Sequence, residues 1–197
     1  VDSSFGRYMF EDQNPIFCKK EELAESEVQR NPKKHDLAPV NLDFGERVLN
    51  LYKDFLSNIA KKGENPEEYG NVTKLDSNNI LELYERIFGI GKEVGEYKLS
   101  QDPSLLETRT RYGIKEKLYK PKREKEVLRK AVKISKRIHL MIPEIMDDSK
   151  ISIRNKLIRA ETIKDYFKDI MKLTLDVEVA YIQEIQRNKA LKEKYMP

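Results

Sequence analysis

The stretch KREKEVLRKAVKISKRIHLMI, residues 122–142, decides how this chain folds. Val127, Ala131, Ile134, Ile138 and Met141 recur at helical spacing and fall on one face, while Lys122, Lys125, Arg129, Lys133 and Lys136 fall on the opposite one. That period belongs to a helix with one side for a core and one row of cations turned outward. Pro121 suits its first turn and Pro143 stops it. No acid interrupts the outward row, whereas a merely solvated face would mix signs.

The same logic extends to both sides. Asp43 opens a helix to Lys62, with Gly63 as its stop and Val48, Leu51, Phe55 and Ile59 as its buried stripe beside Tyr52. After the loop GENPEEYGN, Asp76 or Ser77 caps a second helix to about Tyr97, with Ile80, Tyr84, Ile87, Gly91 and Val94 on one face. Gly91, with Gly95 near it, would let another helix come close. Asp102 caps a third, irregular segment with Pro103 in its first turn. Beyond Pro143 the apolar phase slips between Leu157 and Ile163. The spacing therefore predicts a short helix from Ser149 to about Arg159, then a long one from Thr162 lined by Ile163, Phe167, Ile170, Thr174, Val177, Tyr181 and Ile185. No alternating run marks a strand. The fold class is all-α, a bundle of four or five helices over residues 42–197.

Residues 1–41 form an extended N-terminal arm, broken by Pro15, Pro32 and Pro39, in which only Glu21 to Arg30 could make a short helix. Phe5, Tyr8, Phe10, Ile16 and Phe17 are apolar for a solvated tail, so the arm should dock on its own core, on a neighbouring subunit or on nucleic acid.

Composition limits the chemistry. With 39% hydrophobic and 37% charged residues and no Trp, the core must be slender. Cys18 is the single cysteine, which excludes an intramolecular disulfide and a thiolate metal cage. His35 and His139 are isolated, and no metal or cofactor is expected. No apolar run approaches a membrane span, and no signal-peptide core opens the chain. The glycines of Gly89-Ile-Gly-Lys-Glu-Val-Gly95 mimic a phosphate loop, but Glu93 stands where Ser or Thr would hold magnesium. Close helix packing is the better reading. Carboxylate pairs such as Asp147–Asp148, Asp165–Asp169 and Glu178–Glu184 arise readily among 34 acids, and none stands out in an apolar setting that would tune it for acid catalysis. No catalytic residue is assigned, and the chain reads as a non-enzyme.

Charge then supplies the functional expectation. Between Glu107 and Arg137, thirteen Lys and Arg oppose four Glu, a balance of +9 in a chain of net charge +4. Such concentration fits a polyanion surface. Its candidate nucleic-acid contacts are Arg109, Arg111, Lys115, Lys117, Tyr119, Lys120, Lys122, Arg123, Lys125, Arg129, Lys130, Lys133, Lys136 and Arg137, with DNA and RNA both open. Lys dominates over base-reading residues, so backbone coating is expected. An acidic protein partner is the alternative.

The arm around PIFCKKEELAESEV and the basic run KEKLYKPKREKEVLRKAVKISKR give a layout that resembles the major capsid proteins of filamentous archaeal viruses. That resemblance implies a helical nucleocapsid filament in which paired subunits enclose A-form DNA, and it favours double-stranded DNA as the partner. It also implies self-association or a paralogous subunit, joined through the arm and the C-terminal helix, and a virion location, otherwise a cytoplasmic one.

Overall fold

The computed structural model describes Pro15 and residues 19–27, 37–59, 66–141 and 153–196, in 137–141 and 153–159 the backbone alone. The fold is all-α, with no strand among the described residues. Helix α1 spans Gly45–Ile59 and α2 Tyr69–Tyr84. A π turn at Glu85–Gly89 then joins α2 to α3, Ile90–Gln101. A 3₁₀ turn at Pro103–Glu107 leads to α4, Arg111–Leu118, and α5, Pro121–Met141. Helix α6, Ile153–Arg187, is the central rod, and α7, Lys189–Tyr195, folds back at the end.

Local chemistry explains four of the starts. Asp43 Oδ1 accepts the Gly45 N–H at 2.8 Å, capping α1. Asp102 accepts from Ser104 N, Thr110 from Gly113 N at 3.1 Å and Asn188 from Leu191 N at 3.2 Å. Each of these side chains satisfies an amide that the first turn leaves without a partner.

Four expectations are corrected. The second helix begins at Tyr69, well before Asp76. Asp76 instead accepts the Tyr52 hydroxyl at 2.7 Å, and Ser77 donates back to the Thr73 carbonyl at 2.8 Å, so both side chains serve the helix interior. No break occurs near Arg159: α6 runs unbroken for 35 residues. With neither Gly nor Pro in that span its hydrogen-bond ladder has nothing to interrupt it, and a slip of apolar phase only changes which neighbour the rod faces.

Among the described residues of the arm, Lys20–Glu22 form a 3₁₀ turn and Leu23–Glu27 is not helical. Glu21 and Glu25 would stack like charges one turn apart. On α5, Ile134 is 56% exposed, and the inward side is centred on buried Ala131 with Val127 and Leu128 half-buried. The expectations placed on Phe5, Tyr8, Phe10, Ile16, Phe17, Cys18, Arg30, His35, Lys62, Gly63, Pro143 and Ser149 lie outside the described residues.

Two clusters make the core, both built on α6. One joins Phe44, Val48 and Tyr52 to Ile80, Leu83, Ile87, Phe88, Leu173 and Val177. The other joins Leu99, Leu105, Leu106, Ile114 and Leu118 to Val179, Tyr181, Ile182 and Ile185, with Ala38 and Val40 from the end of the arm. Residues 176–179 are buried on every side, so the acids among them enter the core with their apolar neighbours.

The α3–α6 seam is a close helix contact that positions polar groups. A Cβ on Gly91 would stand 2.9 Å from Val177 Cγ1, and one on Gly95 would stand 3.1 Å from Tyr181 Cδ1 and 3.5 Å from the Glu178 backbone. The glycines therefore serve helix packing, as the sequence implies, and hold no phosphate loop.

Candidate active site

Two carboxylates project from the buried stretch of α6, and each collects cations from other helices. Asp176, 7% exposed, accepts from Arg47 Nη2 at 2.7 Å and from Lys115 Nζ at 3.0 Å, with Arg111 Nη2 at 3.4 Å. Burial pushes its carboxyl upward, but the hydrogen bonds and charges of Arg47 and Lys115 outweigh that push, and the net displacement is below the ordinary value. Asp176 is a saturated anion that ties α1 and α4 to α6.

Glu178 behaves differently. Its Oε2 lies 2.6 Å from Lys98 Nζ, with only 8% of the Glu178 side chain and 22% of the Lys98 side chain exposed. The Lys98 ammonium also reaches the Leu118 carbonyl at 3.4 Å, at the C-terminal end of α4. Here desolvation prevails over the Lys98 hydrogen bond and the charges of Lys98 and Lys120, and the carboxyl is raised above its ordinary 4.5. The seam thus holds a carboxyl group whose pKa burial raises, beside a partly desolvated ammonium. A second cation, Lys120, stands nearby.

This pair is what sequence reasoning missed, since it found no acid in an apolar setting. The signal was present in LTLDVEVAYI, residues 173–182, where apolar residues occupy every face of the helix and so carry Asp176 and Glu178 inside. Lys98 was hidden among 38 basic residues, and only the pairing of α3 with α6 singles it out.

The thirteen cations and one tyrosine expected to grip phosphate divide between different surroundings. Arg111 and Lys115 turn to Asp176. Lys117 reaches Ser104 Oγ at 3.5 Å. The exposed Tyr119 hydroxyl donates to Glu124, which raises its pKa. Lys130 pairs with Glu126 at 2.7 Å. Arg109, Lys120, Lys122, Arg123, Lys125, Arg129, Lys133 and Lys136 are exposed, and the side chain of Arg137 lies outside the described set. Among the described residues no three of His, Cys, Asp and Glu converge as a metal site, and no helix is long and apolar enough to cross a membrane.

The family model for chorismate mutase type II matches residues 69–179, more than half of the 197-residue chain. The chain belongs to the chorismate mutase type II family. No curated protein and no solved structure matches it.

The matched span of the chorismate mutase domain runs from α2 into the buried part of α6 and contains Lys98, Lys120 and Glu178. It overturns the nucleocapsid resemblance and, with it, the expectations of a non-enzymatic coat, of a DNA partner, of assembly through the arm and C-terminal helix, and of a virion location. The error has a physical origin. An exposed row of lysines advertises itself in sequence, whereas a buried pairing of one lysine and one glutamate on two helices, 80 residues apart, does not.

Proposed function

We propose that this chain catalyses the rearrangement of chorismate to prephenate, with Lys98 and Glu178 at its centre. The reaction is intramolecular: a carbon–oxygen bond breaks while a carbon–carbon bond forms, and no atom, proton or electron is exchanged with the protein. Catalysis then needs two things. The substrate, a dianion, must be held with its side chain folded over its ring, and the negative charge gathering on the ether oxygen must be met by donors already in place.

The observation that carries this reading is the Lys98–Glu178 contact of 2.6 Å in the α3–α6 seam. The Lys98 ammonium is fixed by Glu178 and by the Leu118 carbonyl, so it enters the reaction already oriented. Glu178, raised by burial, supplies a second donor when protonated. A bound dianion would push that carboxyl further toward protonation, since added negative charge disfavours its ionised form. Lys120, exposed beside the pair, suits a substrate carboxylate.

The test is direct. The purified chain, given chorismate, should deplete it and form prephenate well above the buffer rate. Lys98→Ala should lower kcat/KM by roughly 10²–10³-fold, the range for loss of a single preorganised donor. A wild-type rate equal to that of buffer would refute the assignment.

A further inference from the structure

Glu96 lies outside the proposed chemistry, yet three partners converge on it or on its neighbour. Its Oε2 accepts the Tyr181 hydroxyl at 2.7 Å, and its carboxylate accepts the Tyr195 hydroxyl at 2.6 Å and 2.7 Å. The Tyr181 oxygen in turn accepts the Ala38 N–H at 2.9 Å. Tyr181 is fully buried. Burial first, and then the hydrogen bond and charge of Glu96, drive both phenols far above their ordinary range, so the two tyrosines act as donors at any physiological pH.

The placement of this cluster gives it meaning. Gly95 is where α3 touches the backbone of α6 at Glu178. Glu96 follows Gly95 directly and bonds α6 through Tyr181, and Lys98 bonds α6 through Glu178. Successive residues of a helix point about 100° apart, so Glu96 and Lys98 leave α3 on different sides of the contact. Two polar clasps thus straddle one point of closest approach. With both closed, α3 cannot roll on α6. With the Glu96 clasp open, the polar restraint on the roll is the pair at the site itself, beside the packing of Gly91 and Leu99 on α6. Ala38 and Tyr195 lie before and after the family-matched span, so both flanks of the chain are fastened to this clasp.

We infer that Glu96, with Tyr181 and Tyr195, is a positioning group that sets the roll of α3 on α6 and thereby holds Lys98 against Glu178. This inference rests on the proposed role of that pair for its kinetic part, but not for its structural part. Tyr181→Phe keeps the ring that packs on Gly95 and removes only the hydroxyl. Glu96→Gln keeps the size of the side chain and an acceptor, whereas Glu96→Ala removes the clasp.

Two readouts separate the failure of this idea from the failure of the enzymatic one. In protein labelled at the glutamate carboxyl carbons, NMR titration of Glu178 requires no activity. Loosening Lys98 removes a group that lowers the Glu178 pKa, so Tyr181→Phe should raise it by about half a unit or more. In turnover, Tyr181→Phe and Glu96→Ala should lower kcat by about tenfold with KM within about twofold, and Glu96→Gln should recover most of it. A folded Tyr181→Phe protein with an unchanged Glu178 titration overturns the inference, whatever the wild type does with chorismate. An unchanged kcat in an active protein overturns it equally.

Discussion

Gly91 and Val177 stand so close that a methyl group on the glycine would lie 2.9 Å from Val177 Cγ1. The glycine is therefore a condition of the α3–α6 seam. Gly91→Ala should destabilise the fold by about 1–3 kcal/mol through overpacking, reduced by the roughly 1 kcal/mol that alanine gains in helix propensity. Gly70 is the control, since a Cβ there meets nothing within 4 Å. Gly70→Ala should stabilise by about 0.5–1 kcal/mol. Urea denaturation of both variants checks the pair, and opposite signs are expected.

Glu178 should give the proposed mutase activity an alkaline limb. Its folded pKa lies above the ordinary 4.5, chiefly because it is buried, so the donating form persists above that value and disappears as pH rises through the raised one. Activity should fall over the same window. Glu178→Gln donates a hydrogen bond without titrating, so its profile should lose this limb while the variant stays active. A pH series of kcat for the two proteins decides the matter.

Asp176 should matter for stability with the opposite pH dependence. Its folded pKa lies below 3.8 because Arg47 and Lys115 outweigh the burial that pushes it up. Its contribution is therefore complete above the unfolded value and is lost as pH falls through the folded one. Asp176→Asn should cost about 1–3 kcal/mol at neutral pH, discounted from the fully buried case because half of the Arg47 side chain is exposed. In strong acid the gap from wild type should close. Thermal melts across the acid range measure it.

Tyr166 stacks on Phe55 with ring centroids 3.9 Å apart and planes 16° from parallel. Burial, then the proximity of Tyr52, pushes its phenol up to about 12. A folded value above the unfolded one means that this contact supports the fold below the ordinary 10.0 and weakens as pH climbs from there toward 12. Difference absorbance of wild type against Tyr166→Phe should show one phenol ionising late. The variant should lose less stability over that window.

Helix class and some helix starts were legible because they depend on neighbours in sequence. The Asp43 cap, Pro103 in a first turn, Pro121 opening α5, and Gly91 and Gly95 as close-packing residues were all readable from local spacing. The start of α2 was not, because Asp76 and Ser77 look like caps until Tyr52 and the Thr73 carbonyl are seen to occupy them. The site was hidden for a stronger reason. Lys98 and Glu178 acquire their character from burial and from each other, and neither exists before α3 meets α6. Surface charge on α5 could be counted in the sequence, and counting it led to the wrong partner.

The π turn at Glu85–Gly89 carries a consequence for comparing this chain with its family. Such a turn arises when a helix accommodates one extra residue, which rotates everything beyond it by about 100° relative to everything before. The two halves of the α2–α3 rod therefore keep different offsets against any relative lacking the insertion. Against such a relative, an ungapped alignment that is correct at Tyr84 would name the wrong counterpart for Lys98, and one that is correct at Lys98 would misplace Tyr84.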